Sequence, residues 1–175
     1  MRYVSLIFFL LLSIFKVNNL YGTVNAVSSE DCAKELDAQA PFVLVLKRGE
    51  NLMDSLQTCV QAAQLKSAYI IGLGALEQPT LGYYNLGKKQ YQKRTFPGLY
   101  ELTNLTGNLS TAQDKPFLHL HVNLSNQNYQ VIGGHLFSAK VGAVVELLIM
   151  PMKVVLHREQ DPATGLAVIV PEQED

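Results

Sequence analysis

Between Pro41 and Val170 the apolar residues fall into short blocks: Leu99–Ser110 and Phe117–Leu124 alternate with the two-residue period of strands, while Phe42–Leu46 and Val144–Met150 are nearly continuous apolar runs. Phe42–Leu46 (FVLVL), closed by Lys47-Arg48-Gly49, reads as a first strand. One block is different. From Asn51 to Lys66, Leu52, Leu56, Cys59 or Val60, and Ala63 recur at helical spacing with polar residues between, which predicts a single amphipathic helix lying on a sheet. Strands are predicted at Ala68–Ala75, at Leu99–Ser110, at Phe117–Leu124, at Gln130–Phe137 and at Val144–Met150. A hairpin is expected from Thr80–Tyr84 through Asn85-Leu86-Gly87 to Gln90–Phe96. The last pair, Lys153–Arg158 and Leu166–Val170, flanks the turn Asp161-Pro162-Ala163-Thr164-Gly165. About eight strands and one main helix make an α+β domain, a compact mixed or antiparallel sheet with the helix packed on it.

The N-terminus stands apart from this pattern. Met1-Arg2-Tyr3 precedes an uncharged, largely apolar run, Val4–Phe15, and the small-x-small sequence Val24-Asn25-Ala26 follows. That order describes a secretory signal peptide, and the run is well short of the roughly 20 residues a spanning helix needs. The expected organisation is a signal peptide over 1–26, a polar lead-in over 27–40 and one domain over 41–172, with the mature protein secreted or periplasmic and not held in a membrane. Cleavage after Ala26 removes Arg2 and Lys16 and takes the net charge from -1 to -3. No basic excess is available to neutralise phosphates, so nucleic acid is not an expected partner. Two cysteines, Cys32 and Cys59, lie beyond that point. An oxidising compartment permits them to pair, and a buried Cys59 with a solvent-facing Cys32 is the alternative.

Chemistry concentrates at the histidines. Of four, His119, His121 and His135 lie within 17 residues. An H-x-H in a strand puts two imidazoles on one face about 6.6 Å apart along the chain, where both can meet one ion. His135, beside Gly133-Gly134, can add a third nitrogen from a neighbouring strand. Three neutral imidazoles with a fourth position open are the ligand set of a catalytic zinc, while three hydrogen-bonded histidines on a polar sheet face are the structural alternative. A metal held this way is expected to leave as imidazoles protonate below about pH 6.

His157, next to Arg158, reads as solvated surface. Glu101 and Glu146 are carboxylates within apolar strands. Glu101 is the candidate acid/base, and an ion pair with Arg48 or Arg94 is the competing role for either. Gly72-Leu73-Gly74 lacks the third glycine of a dinucleotide fingerprint, and no Gly-x-Ser-x-Gly occurs. Asn104, Asn108 and Asn123 begin formal glycosylation sequons but fall in predicted strands.

Gly49–Tyr84, Tyr100–Ser110, Pro116–Leu124 (PFLHLHVNL), Val131–Leu136 (VIGGHL) and Val141–Ile149 (VGAVVELLI) together resemble the plants-and-prokaryotes-conserved, or PPC, domain. The resemblance runs in order from about Phe42 to Val170. It implies a homotrimer of compact α+β domains. Plant members carry AT-hook segments and bacterial relatives are often labelled DNA-binding, yet this chain has no Arg-Gly-Arg-Pro core. It keeps the prokaryotic pattern of His119, His121 and His135. The fold is also similar to that of α-acetolactate decarboxylase, in which an H-x-H and a later histidine hold zinc. The function so implied is an exported trimer binding a divalent metal, zinc, through the three histidines at a small-molecule pocket, as a lyase or hydrolase acting on a small oxygen-rich substrate. The alternative is a non-enzymatic ligand- or protein-binding module.

Overall fold

The computed structural model describes residues 25–32 and 40–171, so most of the predicted signal segment and part of the lead-in lie outside the described residues. One nine-stranded sheet carries the fold: β1 (Asn25–Ser28), β2 (Phe42–Lys47), β3 (Ala68–Asn85), β4 (Gln90–Thr95), β5 (Leu99–Ala112), β6 (Lys115–Ser125), β7 (Val131–Pro151), β8 (His157–Gln160) and β9 (Ala167–Ile169). Only β1–β2 and β5–β8 are parallel. The antiparallel ladders β3–β5, β5–β6, β6–β7 and β7–β3 form a closed circuit, so the middle of the sheet has no free edge. Leu105, Leu109, Leu120, Leu124 and Leu136 are buried there.

Two strands run longer than the hydrophobic blocks predict. Ala68–Ala75 and Thr80–Tyr84 join into β3, and the two blocks over 130–150 join into β7. Bulges make this possible. Register shifts fall at Gly72/Gly74, Gly74/Leu76, Glu77/Thr80 and Thr80/Leu81, so the strands bend without breaking. Pro79 lies inside one of these shifts, where its missing N–H removes no ladder bond. The C-terminal pair is shorter than expected, with β8 beginning only at His157.

The helix α1 (Leu52–Ala62) starts where Asn51 accepts from the amides of Met53 and Asp54 at 3.1 and 3.3 Å. It ends at Ala62, four residues short of the predicted Lys66. Gln64 takes a left-handed φ of 54°, and the Leu65 amide returns to the Val60 carbonyl at 3.0 Å, a closing turn that buries Leu65. Leu52, Leu56, Cys59 and Val60 face the sheet. Cys59 is bonded to Cys32, which is itself buried, so the alternative of a solvent-facing Cys32 is not realised. The lead-in thus holds a strand and a covalent tether. Because Asn25 and Ala26 are part of β1, cleavage after Ala26 would leave only Val27 and Ser28 of that strand.

Candidate metal centre

β6 alternates, with Leu118, Leu120, Val122 and Leu124 turned toward the core and His119 and His121 turned away from it. β7 brings His135 directly across from His121. The three rings form a near-equilateral triangle with centroid separations of 5.1, 5.1 and 5.4 Å. One nitrogen from each lies within 4.8 Å of the others. Nδ1 of His135 is buried without a hydrogen-bond partner, the state of a nitrogen that an ion would satisfy.

Electrostatics keep the cluster ready for a cation. Burial, reinforced by the Arg158 and His121 charges, lowers the His119 pKa to about 4. Burial does the same to His135, also to about 4, with His119, His121, Lys93 and Arg158 adding to it. Both rings are therefore neutral ligands at neutral pH. Protons therefore compete for these two rings only well below their ordinary range.

Residues outside the sequence pattern wall the cluster. Tyr91 and Phe137 pack on His135 at 4.9 and 4.8 Å, and Lys93 Nζ sits 3.7 Å above the Phe137 ring. Gly82 makes room for them, because a Cβ there would meet Phe137 at 2.4 Å and Tyr91 at 2.9 Å. Burial raises the Tyr91 pKa, so its hydroxyl stays protonated. From β8, Arg158 donates through Nε to Ser110 Oγ at 2.7 Å, through Nη1 to the Ala167 carbonyl at 2.7 Å and through Nη2 to Asn108 Oδ1 at 3.0 Å. Its Nη2 also lies 3.2 Å from His119 Nδ1. The 161–165 turn is fastened above the same region, where Tyr84 donates to the Thr164 carbonyl at 2.6 Å and Lys89 to that of Pro162 at 2.7 Å.

The other predicted residues lie elsewhere. Glu101 pairs with Ser125 at the far end of the ladder that sets Asn108 against His119 and Thr106 against His121. Five residues of strand, about 17 Å, separate Glu101 from Thr106, so within one chain it is not part of the triangle. A groove of about 880 Å³ runs past Glu101, between Pro97–Glu101 and the Ser125–Tyr129 turn. It lacks the convergent nitrogens of the triangle, where three histidines could hold a metal. Glu146 faces a second groove of about 370 Å³ with Val43, Ile71, Leu73 and Thr103. Of its two expected partners, Arg48 and Arg94, Arg94 instead stacks on Phe96 at 4.8 Å. His157 is exposed, as expected, and Asn104, Asn108 and Asn123 all lie in strands.

The Plants and Prokaryotes Conserved (PCC) domain matches residues 33–153. No curated protein matches this sequence. Among solved structures, a metal-containing protein from Archaeoglobus fulgidus is similar at 32% identity, over 78% of this chain and 97% of that one, with a TM-score of 0.70. A protein from Bacteroides thetaiotaomicron described as a putative DNA-binding protein is 26% identical, over 78% and 94% of the two chains, with a TM-score of 0.73. Acetolactate decarboxylase from Bacillus subtilis subspecies spizizenii shares the fold alone, at 11% identity over 67% of this chain and 55% of that one, with a TM-score of 0.51.

Proposed function

This chain belongs to the Plants and Prokaryotes Conserved domain family, and from that premise we propose that it is an exported, zinc-binding member whose ion is held by His119, His121 and His135. The observation that carries the reading is the near-equilateral triangle of neutral imidazoles with an unpartnered nitrogen on His135. The metal content of the Archaeoglobus relative supports it. Zinc in such a site polarises a bound oxygen or lowers the pKa of a bound water. The chain's own groups hold and shield the ligand. Tyr91 and Phe137 form an apolar wall, the Tyr91 hydroxyl is a protonated donor, and Arg158 supplies fixed positive charge. A small oxygen-rich substrate and a lyase or hydrolase reaction suit that set.

Export is supported by the basic-apolar-small order of the first 26 residues and by the Cys32–Cys59 bond, which persists in oxidising compartments. A homotrimer is supported by an apolar sheet face left in solvent, where Tyr69, Ile71, Leu73 and Val144 are all more than a third exposed. That face is also the observation favouring the second reading, a protein-binding module with structural histidines. Glu101 would serve as an acid or base only across a subunit boundary, given its distance from the triangle. Duplex DNA is not a proposed partner, because the chain, at a net charge of -1, has no basic excess to drive non-specific binding to phosphates.

X-ray absorption at the zinc edge tests the assignment. Three nitrogen scatterers at about 2.0–2.1 Å with imidazole multiple scattering are expected. A shell of oxygens alone would sink it.

A further inference from the structure

A loaded centre cannot keep the contact between Arg158 and His119. A guanidinium has donors only, so with Nη2 at 3.2 Å the Nδ1 of His119 accepts, and the one proton of the neutral ring sits on Nε2. Such a ring offers an ion no free lone pair. For Nδ1 to ligate, Arg158 must give up that lone pair. For Nε2 to ligate, the proton must move to Nδ1, and two N–H groups then face each other. A ligand histidine sets its second nitrogen against an acceptor, which Arg158 is not. Metal on His119 and this hydrogen bond exclude one another.

Released from His119, Arg158 remains anchored by Ser110, Ala167 and Asn108 and by the Phe117 ring at 4.9 Å. These partners are neutral, so they satisfy its donors without cancelling its charge. Of five N–H groups three stay engaged, which leaves one hydrogen on each terminal nitrogen. Lys93 adds a second cation over Phe137, on the His135 side. A divalent ion placed next to these charges calls for an anion, and a planar fork with two free hydrogens matches a two-oxygen group.

We propose that the centre takes a small carboxylate held between the metal and Arg158, and that the Nη2 hydrogen released from His119 holds it while the guanidinium keeps its other anchors. The β8–β9 hairpin, beyond residues 33–153, thereby supplies the specificity-determining residue. The proposal rests on the metal reading above, so the experiment separates the two. Cobalt(II) uptake is measured first by calorimetry. If the unvaried protein takes none, the metal reading falls and this inference with it. With uptake established, acetate is titrated against the visible bands of the cobalt protein, with acetamide as the neutral control. Arg158→Gln is expected to bind cobalt as tightly or up to about tenfold more tightly, its competitor being gone. Its acetate affinity should fall at least about tenfold while acetamide binding is unchanged, and Arg158→Lys should keep part of the acetate affinity. A glutamine variant that sheds cobalt, or one that binds acetate as well as the parent, overturns the proposal. Should that variant fail to fold, nitrogen NMR of the unvaried protein decides. The metal-free His119 ring must carry its proton on Nε2, and the Arg158 side-chain resonances must move on zinc and again on acetate. Arg158 resonances unmoved by both would refute the proposal.

Discussion

Replacing Gly107 with alanine should empty the metal centre without touching a ligand. Gly107 lies on β5 across from Leu120, between the pairs that hold His119 and His121. A Cβ there would come 2.0 Å from the His119 carbonyl oxygen and 2.9 Å from its carbonyl carbon, backbone atoms that cannot rotate away. Restoring even a tight 3.0 Å contact requires β5 and β6 to part by about 1 Å at His119. Metal–ligand distances tolerate about 0.2 Å, so the displacement is roughly five times what the site can absorb. Overpacking of this kind costs about 1–3 kcal/mol, which in a domain of this size lowers Tm by roughly 2–12 °C and leaves it folded. Gly107→Ala should therefore purify with less than about a fifth of the parent's zinc and melt lower. Gly87→Ala, whose Cβ would meet nothing nearer than Asn85 Oδ1 at 3.5 Å, should match the parent in both. Full zinc content and an unchanged Tm in Gly107→Ala would refute the reasoning.

Reducing Cys32–Cys59, or replacing both residues with serine, opens a loop closed across 27 residues and should cost about 3–4 kcal/mol, read from urea unfolding with midpoint and m both fitted, since the uncrosslinked unfolded chain raises m. Acid should also destabilise the metal-free protein. His119 and His135 titrate near 4 when folded and near 6.5 when unfolded, so the unfolded chain takes up protons first. The stability these rings contribute is full above pH 6.5 and is lost as pH falls toward 4; thermal melts that are flat across that window in the parent, or that slope equally in His119→Ala/His135→Ala, would contradict this. If the proposed trimer forms, Leu73→Glu, at a side chain 57% exposed on the apolar face, should give monomers by light scattering, and a parent that is itself monomeric would remove that proposal.

Much of the site was legible in the chain because it is local. An H-x-H in a strand fixes two rings on one face, and His135 follows on the strand that pairs with it. Arg158 was not legible. It stands 37 residues beyond His121, next to a histidine that is plainly solvent-exposed, and nothing in its neighbours announces that β8 returns alongside β5. The turn Asp161–Gly165 was recognisable, but its docking onto Tyr84 and Lys89 is a tertiary contact that periodicity does not encode. Tyr91, Phe137 and Lys93 were hidden for the same reason, since each reads as an ordinary position in an alternating strand. In sequence Pro79 and the paired glycines look like stops that divide each long strand in two. In the sheet they are bulges, absorbed by neighbours on both sides. The helix stops short of Lys66 because it closes at the left-handed Gln64, where no glycine or proline marks the end.

The central claim is a metal held by three named histidines, and zinc content per chain measures it most directly. The parent, purified and exchanged into metal-free buffer at neutral pH, should carry close to one zinc per chain, and His119→Ala/His121→Ala close to none while keeping its circular dichroism. A parent that stays empty after incubation with zinc, or a double variant that retains it, would contradict the account.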